Sequence, residues 1–356
     1  MPLSRPPTRV LIVDDSAIVR KMIGDALRGE PDIEVVGGAA DPFIARDMIL
    51  QHRPDLVTLD IEMPRMDGLT FLRKLMQHHP MPVIIVSSVT KSGSAASVEA
   101  LRAGAVDVIP KPGGPSSVGQ VTERLKERIR SLRATPHLRL ARQVEPSAAP
   151  APVASGRRAQ GLLLIGASTG GPQAIEAVLT RLPADIPPTL IVQHMPANFT
   201  AAFAGRLNTV CPMRVIEAQG GETLERGTAY IAPGDHHLLV ERMGVQLRTV
   251  LRQGPPVHHQ RPAVDVLFHS AARLQGVPRV AVVLTGMGAD GADGLLALRQ
   301  AGAETIAEDE HSCVVFGMPK EAIARGGAAH VATLLRMPGL IYECFDTVGR
   351  PSRRAG

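Results

Sequence analysis

Short apolar runs alternate with helical patterns over residues 8–132, and this alternation limits the first part of the chain to a small set of folds. Five aliphatic runs are predicted to be buried parallel strands, at residues 10–13, 33–36, 56–59, 83–86 and 106–109. Helical patterns lie between them, for instance over residues 16–27 and 69–77. Five strand–helix units predict an α/β domain with a doubly wound, flavodoxin-like sheet.

The same alternation returns over residues 161–348 and predicts a second doubly wound α/β domain. Buried strands are expected at residues 162–165, 189–192, 280–284 and 305–307, with helices at 174–182 and 294–301. Residues 238–242 and 246–251 have the pattern of a hairpin. Between the two domains, residues 133–160 are rich in Pro and Ala without apolar periodicity, which predicts an extended, flexible linker.

Composition argues against several classes of function. The 356 residues are long for a single core, which agrees with two domains. Aromatic residues make up only 3% and Trp is absent, which argues against a base-stacking surface for single-stranded nucleic acid. Three widely spaced Cys without a Cys-x-x-Cys pair suggest neither a disulfide framework nor a zinc site, and they fit the reducing cytoplasm. The sequence has no apolar run of spanning length, so we expect no membrane insertion.

Polar side chains lie at the ends of four predicted strands of the first domain. Asp14 and Asp15 follow the first strand, Asp60 the third and Lys111 the fifth, while Ser87 ends the fourth. Each acid alone could be a helix N-cap, but the carboxyl ends of parallel strands meet at one edge of a sheet. Grouped carboxylates repel unless a cation neutralises them, and Mg²⁺ prefers oxygen ligands. The pattern predicts a phosphoryl-acceptor site with Asp60 as nucleophile, the three aspartates around Mg²⁺, and Ser87 and Lys111 on the phosphoryl group.

Residues 9–130 resemble the receiver domain of response regulators. The matching motifs are VDDS (residues 13–16), LDIEMPRMDG (59–68), VSS (86–88) and KP (111–112). The resemblance implies that a partner histidine kinase donates a phosphoryl group to Asp60 and that Mg²⁺ is needed for this reaction.

A glycine-rich segment of the second domain contains a candidate nucleophile. Ser168 lies in a Gly-x-Ser-x-Gly motif between a predicted strand and helix, where a sharp turn can present its hydroxyl at a helix N-terminus. His194 follows the next strand and can act as general base. Asp290 follows a later strand and can hold the imidazole in the right tautomer. Thr169 and Met287 belong to the expected active-site loops, where the N–H of Met287 can stabilise an oxyanion.

Two alternatives concern the same domain. The chain has twelve histidines, and five others compete with His194 for the role of base: His236, His237, His258, His259 and His269. The dipeptide His258-His259, in a loop flanked by Pro, can instead bind a metal. Residues 286–291 also satisfy Gly-x-Gly-x-x-Gly, with Glu308 and Glu310 about 20 residues later, as in a dinucleotide-binding site. That interpretation leaves the serine motif unexplained, so hydrolysis is favoured.

Residues 161–345 closely resemble the catalytic domain of the chemotaxis response-regulator protein-glutamate methylesterase/protein-glutamine glutaminase family. The matching motifs are IGASTGGP (residues 165–172), QHMP (193–196), YIAPGDHH (230–237), RPAVDVLFHS (261–270), VLTGMGADG (283–291) and SCVVFGMPKEAI (312–323). The resemblance implies Ser168, His194 and Asp290 as a catalytic triad that needs no cofactor. It also implies demethylation of glutamate methyl esters, and deamidation of certain glutamines, on the cytoplasmic helices of chemoreceptors.

The two resemblances together predict a phosphorylation-activated hydrolase that serves adaptation in chemosensory signalling. We expect the unphosphorylated first domain to block Ser168 and phosphorylation of Asp60 to open the site. A receiver joined to a nucleic-acid-binding output is an alternative suggested by the basic linker and by a sequence pI of about 9.4. Residues 161–345 contain no helix-turn-helix pattern, so no nucleic-acid partner is expected. An interaction module with an inactive site is a further alternative.

Overall fold

The computed structural model describes residues 6–88, 90–112, 118–134 and 160–348. Distances between Cα atoms divide the chain into two compact units, Met1–Glu145 and Pro146–Gly356. The predicted linker at residues 133–160 lies almost entirely outside the described residues. Its extent, and with it the predicted domain limits of 8–132 and 161–348, therefore stay predictions.

A parallel sheet forms the centre of the first unit. Within the described residues its five strands follow the order β2-β1-β3-β4-β5. Their bounds are β1 Thr8–Val13, β2 Ile33–Ala39, β3 Leu56–Leu59, β4 Val83–Ser87 and β5 Asp107–Pro110. This is the flavodoxin-like order, which confirms the predicted fold class. The order reverses between β1 and β3, so the carboxyl ends of these two strands border the crevice where such sheets bind ligands.

The helices of the first unit start at side chains that cap them. They are α1 Ala17–Leu27, α2 Pro42–His52, α3 Gly68–His78, α4 Lys91–Arg102 and α5 Val118–Ala134. Ser16, Asp41, Asp67 and Thr90 each accept a hydrogen bond from an N–H in the first turn of α1, α2, α3 and α4, respectively. Such a cap satisfies donors that have no partner within the helix, which fixes where each helix begins.

A second parallel sheet forms the centre of the second unit. Within residues 160–348 its seven strands follow the order β14-β13-β12-β6-β7-β9-β8. Their bounds are β6 Leu162–Ala167, β7 Thr189–Gln193, β8 Arg214–Glu217, β9 Thr228–Ile231, β12 Arg279–Val283, β13 Glu304–Glu308 and β14 His330–Ala332. The four predicted strands are confirmed. Strands β8, β9 and β14 were not expected. Strands β8 and β14 are short edge strands with partly exposed residues, and β9 is buried but only four residues long, so none of the three has a long apolar run.

Helices and one hairpin complete the second unit. The helices are α6 Gly171–Leu179, α7 Phe199–Val210, α8 Val264–Ala272, α9 Ala292–Gln300, α10 Met318–Ala324 and α11 Met337–Val348. The predicted hairpin is confirmed as the antiparallel pair β10 His237–Met243 and β11 Gln246–Arg252. None of the helices in the described ranges has the length and apolar character needed to cross a membrane.

Helix α8 packs closely onto the sheet at the carboxyl end of β6. Phe268 of α8 is fully buried in a core cluster with Leu164 of β6 and Val283 of β12. A Cβ atom at Gly166 would lie 2.8 Å from Cγ2 of Val264, the first residue of α8. The absence of a side chain at Gly166 therefore lets the start of α8 approach the carboxyl end of β6.

Candidate functional site

The acidic residues of the first unit converge as predicted. Asp14 and Asp60 are buried at the ends of the adjacent strands β1 and β3, whereas Asp15 is exposed. The Lys111 ammonium Nζ lies 2.7 Å from Oδ2 of Asp60 and 2.9 Å from Oδ2 of Asp14. The strand order explains the cluster, because β1 and β3 are hydrogen-bonded neighbours.

The charges of this cluster are strongly coupled. Burial raises the pKa of the Asp60 carboxyl, and the negative charge of Asp14 raises it further. The hydrogen bond and charge of Lys111 lower it, but the pKa still lies above its usual value. Burial also disfavours the charged form of Lys111, but hydrogen bonds to Asp14 and Asp60 outweigh burial and raise its pKa. The Lys111 cation is therefore held beside Asp60, whose burial opposes its ionisation.

The same edge suits a divalent ion and a phosphoryl group. One carboxylate oxygen from each of Asp14, Asp15 and Asp60 can be chosen so that all three lie within 4.8 Å of one another. An all-carboxylate donor set fits a hard ion such as Mg²⁺, and exposed Asp15 leaves the cluster open to solvent. The buried Ser87 hydroxyl has no hydrogen-bond partner among the described residues, so it is available to an incoming oxygen.

The predicted serine turn is present between β6 and α6. The N–H of Ser168 donates to the carbonyl of Thr285 at 3.0 Å, and its carbonyl accepts from the side chain of Gln193 at 2.8 Å. Gly170 follows with a φ of +76°, and a Cβ there would lie 2.5 Å from Cβ of Val314. Only glycine fits this position without strain, so the motif glycine fixes a tight turn into α6.

His194 lies beside Ser168 at the ends of two neighbouring strands. Ala167 of β6 pairs with Gln193 of β7, so the next residue of each strand, Ser168 and His194, continue as neighbours. The His194 N–H donates to the carbonyl of Ala167 at 3.0 Å, which ties the two strand ends together. The tertiary structure therefore brings the predicted nucleophile and base to one place.

Asp290 orients the imidazole of His194. Its Oδ2 atom lies 2.7 Å from Nε2 of His194, and both side chains are buried. A carboxylate accepts the Nε2–H, which leaves Nδ1 as the unprotonated ring nitrogen. Nδ1 is buried without a hydrogen-bond partner in the described residues. The basic nitrogen is thus unengaged, while the opposite nitrogen is fixed.

Asp290 is itself held in place by the N-terminus of α8. Its carboxylate accepts the N–H of Val264 at 2.7 Å and that of Asp265 at 2.9 Å. Burial opposes ionisation of Asp290, but the hydrogen bond and charge of His194 and these backbone donors outweigh burial and hold its pKa below the usual value. The carboxylate therefore stays charged and can stabilise an imidazolium.

The loop after β12 packs against the serine turn. A Cβ atom at Gly286 would lie 2.7 Å from Cβ of Ser168, so the loop approaches the nucleophile closely. Met287, the predicted oxyanion residue, is the next residue of this loop and is partly buried. Thr169 is buried, and its carbonyl accepts the hydroxyl of Thr285 at 3.0 Å. Thr169 and Met287 therefore both belong to loops at the Ser168 turn.

Two competing interpretations find less support. His258 makes a hydrogen bond of 2.9 Å to Asp265, and these two residues with Asp290 offer ligand atoms within 4.8 Å of one another. Because Asp290 is engaged by His194 and two backbone N–H groups, the cluster serves the His194 pair rather than a metal site. Of the two candidate ribose-binding acids of a dinucleotide site, Glu308 is fully buried and bonded to Thr285 and Ser312, whereas Glu310 is exposed.

Sequence reasoning missed Gln193, Thr285 and Asp265 as supports of the site. Gln193 is the polar last residue of β7, Thr285 is a polar residue two positions after the end of β12, and Asp265 is an acid in the first turn of an apolar helix. That contrast was the available signal. The contrast at Asp265 led to no prediction because helix α8 itself was not expected.

Comparisons with known proteins agree with both halves of this description. Residues 163–341 match the family model of the CheB methylesterase, and residues 10–123 match that of the response regulator receiver domain. The chain belongs to the CheB methylesterase family. It is therefore a hydrolase that carries a response-regulator receiver domain.

Two relatives match nearly the whole length of this chain. The protein-glutamate methylesterase/protein-glutamine glutaminase 2 of Syntrophus aciditrophicus is 52% identical over 92% of this chain and 96% of the relative. A protein of the same description from the group 3 operon of Bradyrhizobium diazoefficiens is 50% identical over 94% of this chain and 96% of the relative. The crystal structure of the Thermotoga maritima CheB methylesterase catalytic domain is 39% identical, covers 52% of this chain and 98% of that chain, and has a TM-score of 0.51.

Proposed function

We propose that this CheB methylesterase removes methyl groups from glutamate methyl esters, and deamidates certain glutamines, on the cytoplasmic helices of chemoreceptors. Ser168, His194 and Asp290 are its nucleophile, base and orienting acid. The observation that supports this most is the fixed His194–Asp290 pair, whose unengaged Nδ1 lies at the strand end beside Ser168. The methylesterase relatives, identical at about half of their positions, support the ester substrate.

The first step forms an acyl-serine. The Ser168 Oγ attacks the ester carbonyl carbon while Nδ1 of His194 takes the hydroxyl proton. The negative charge that develops on the carbonyl oxygen is stabilised by backbone N–H groups of the loop at Met287 and of the turn at Thr169. The bond from the carbonyl carbon to the methoxy oxygen then breaks, and the imidazolium returns the proton to give methanol.

The second step restores the serine. A water molecule loses a proton to Nδ1 of His194 and attacks the acyl carbon, and the bond to Ser168 Oγ breaks as that oxygen takes the proton back. The product is the glutamate side chain. A primary amide follows the same route with ammonia as leaving group, so one site can serve both substrates.

Phosphorylation of Asp60 by a histidine kinase raises this activity. The buried cluster of Asp60, Asp14 and Lys111 supports the proposal, because Lys111 can compensate the added negative charge. Asp14, Asp15 and Asp60 would hold Mg²⁺, which supplies positive charge to the phosphoryl oxygens when bound. The Ser87 hydroxyl donates to one of those oxygens. In the cell, this regulated activity serves adaptation in chemosensory signalling.

The test is methanol release from methylated receptor membranes, with and without acetyl phosphate and Mg²⁺. We expect the donor to raise release by the wild type, Asp60→Asn to stay at the unstimulated rate, and Ser168→Ala to release nothing above background. Asp47→Asn, at an exposed site on α2, is the matched control for the loss of one carboxylate and should respond like the wild type. Full turnover by Ser168→Ala would refute the nucleophile assignment, and a donor response in Asp60→Asn would refute the phosphorylation site.

A further inference from the structure

Glu308 is a fully buried carboxylate that the proposed chemistry does not use. It is the last residue of β13, the strand next to β12. Its Oε2 accepts the N–H of Thr285 at 2.8 Å, and its Oε1 accepts the hydroxyl of Ser312 at 2.9 Å. Both carboxylate oxygens are thus committed to protein donors, one of which belongs to the active-site loop.

Thr285 passes this hydrogen bond on to the serine turn. Its carbonyl accepts the N–H of Ser168 at 3.0 Å, and its hydroxyl donates to the carbonyl of Thr169 at 3.0 Å. The hydroxyl also accepts the N–H of Val315 at 2.9 Å. Thr285 is therefore bonded to both residues of the turn, and Glu308 is bonded to Thr285. Glu308 is therefore connected to the predicted nucleophile, Ser168, by hydrogen bonds through the single residue Thr285.

A carboxyl group in this place is costly for the fold. Burial raises the pKa of Glu308 to about 7, and the charge of Asp309 adds to burial, while hydrogen bonds from Thr285, Ser312 and Cys313 oppose the rise. An apolar side chain of similar volume would remove that cost but would leave the Thr285 N–H without a partner. The presence of a carboxylate at this position is therefore explained by the hydrogen bonds that it accepts, and not by packing.

We propose that Glu308 is a positioning residue that holds Thr285, and through it the Ser168–Thr169 turn, in the geometry that catalysis needs. This inference rests on the proposed role of Ser168 as nucleophile. A small displacement of a nucleophile costs about 100-fold in rate without changing which groups bind the substrate, so the effect falls on kcat rather than on KM.

The test compares two substitutions of Glu308 in the full-length protein, assayed on methylated receptor membranes. Glu308→Leu removes both acceptors, and we expect kcat to fall by about 10–100-fold with KM changed by less than about threefold. Glu308→Gln keeps an oxygen for the Thr285 N–H and offers an amide donor to Ser312, so kcat should stay within about threefold of the wild type. A wild-type kcat for Glu308→Leu would overturn the proposal, and so would an equal loss of kcat in both variants.

A second pair of variants covers the case in which Glu308→Leu fails to fold. Thr285→Val removes the hydroxyl that binds Thr169 but keeps the N–H on Glu308, and it should lower kcat at nearly unchanged KM. Ser312→Ala removes the other hydrogen bond of Glu308 without touching Thr285, and its kcat should stay within about twofold of the wild type. An unchanged kcat for Thr285→Val, or a larger loss for Ser312→Ala, would overturn the proposal.

Ser168→Ala separates this inference from the proposed function. If Ser168→Ala is inactive while Glu308→Leu and Thr285→Val keep full kcat, only the positioning role of Glu308 fails. If Ser168→Ala keeps its activity, the proposed nucleophile and the positioning role fail together.

Discussion

The Nε2 atom of His194 lies 2.7 Å from Oδ2 of Asp290, and that same oxygen accepts the N–H of Val264 at 2.7 Å. A helix N-terminus thus shares the carboxylate with the imidazole. The N-terminus of α8 fixes the Asp290 carboxylate, and the carboxylate fixes the orientation of the His194 ring. The orientation of the unbonded Nδ1 is therefore fixed as well. The orientation of the base is therefore a consequence of how α8 packs on β6.

Asp290→Asn should lower kcat by about 10²–10⁴-fold while the protein stays folded. The amide fills the same space but cannot stabilise an imidazolium, and it favours the wrong tautomer when its NH₂ faces Nε2. Methanol release gives kcat, and circular dichroism checks the fold. Asp293→Asn, at an exposed site on α9, is the control and should behave like the wild type. Wild-type kcat in Asp290→Asn would contradict the assigned role of Asp290.

Gly170→Ala should destabilise the second unit by about 2–4 kcal/mol and abolish most activity. The φ of +76° is unfavourable for alanine, and the added Cβ would lie 2.5 Å from Cβ of Val314. The matched control is Gly205→Ala in α7, where a Cβ meets nothing within 4 Å. That variant should gain up to about 1 kcal/mol from helix propensity. Urea unfolding measures both, and equal stability of the two variants would contradict the expected strain.

Asp60→Asn should stabilise the first unit at pH 7 by about 1 kcal/mol. The folded-state pKa of Asp60 is raised above the usual 3.8, first by burial. Its favourable contribution is therefore complete below pH 3.8 and is lost as the pH rises through the folded-state pKa. At pH 7 the buried charge is a net cost that asparagine removes. Thermal unfolding of the receiver transition checks the sign, with Asp47→Asn as control, and a lower midpoint for Asp60→Asn would contradict it.

Glu308→Gln should change how stability depends on pH. The folded-state pKa of Glu308 is about 7 against the usual 4.5, so its contribution is complete below pH 4.5 and is lost as the pH rises through 7. The glutamine variant has no such loss, so it should gain about 2–3 kcal/mol relative to the wild type between pH 4.5 and pH 8. Urea unfolding of the hydrolase transition at both pH values measures this gain. Exposed Glu310→Gln is the control, and the same pH profile for wild type and Glu308→Gln would rule out the raised pKa.

Much of the fold followed from local pattern. The long apolar runs of β1, β4, β6 and β12 were recognisable because a strand buried on both faces is apolar throughout. The edge strands β8 and β14 were missed because partial exposure interrupts that pattern, and β9 was missed because its four residues form no long apolar run. Helix α8 was missed although it holds Asp290. Its role comes from its contact with residues 26 positions away, which no local pattern records.

The sequence by itself determined which chemical groups stand at strand ends, because parallel strands and the glycine turns between them are encoded in residues close along the chain. It therefore predicted Asp60, Lys111, Ser168, His194 and Asp290 as site residues. The tertiary structure alone decided which nitrogen of His194 faces Asp290, how buried the carboxylates are, and that Glu308 binds Thr285. Those properties depend on distances between residues far apart in sequence and on exclusion of water, and both arise only when the sheets and helices pack.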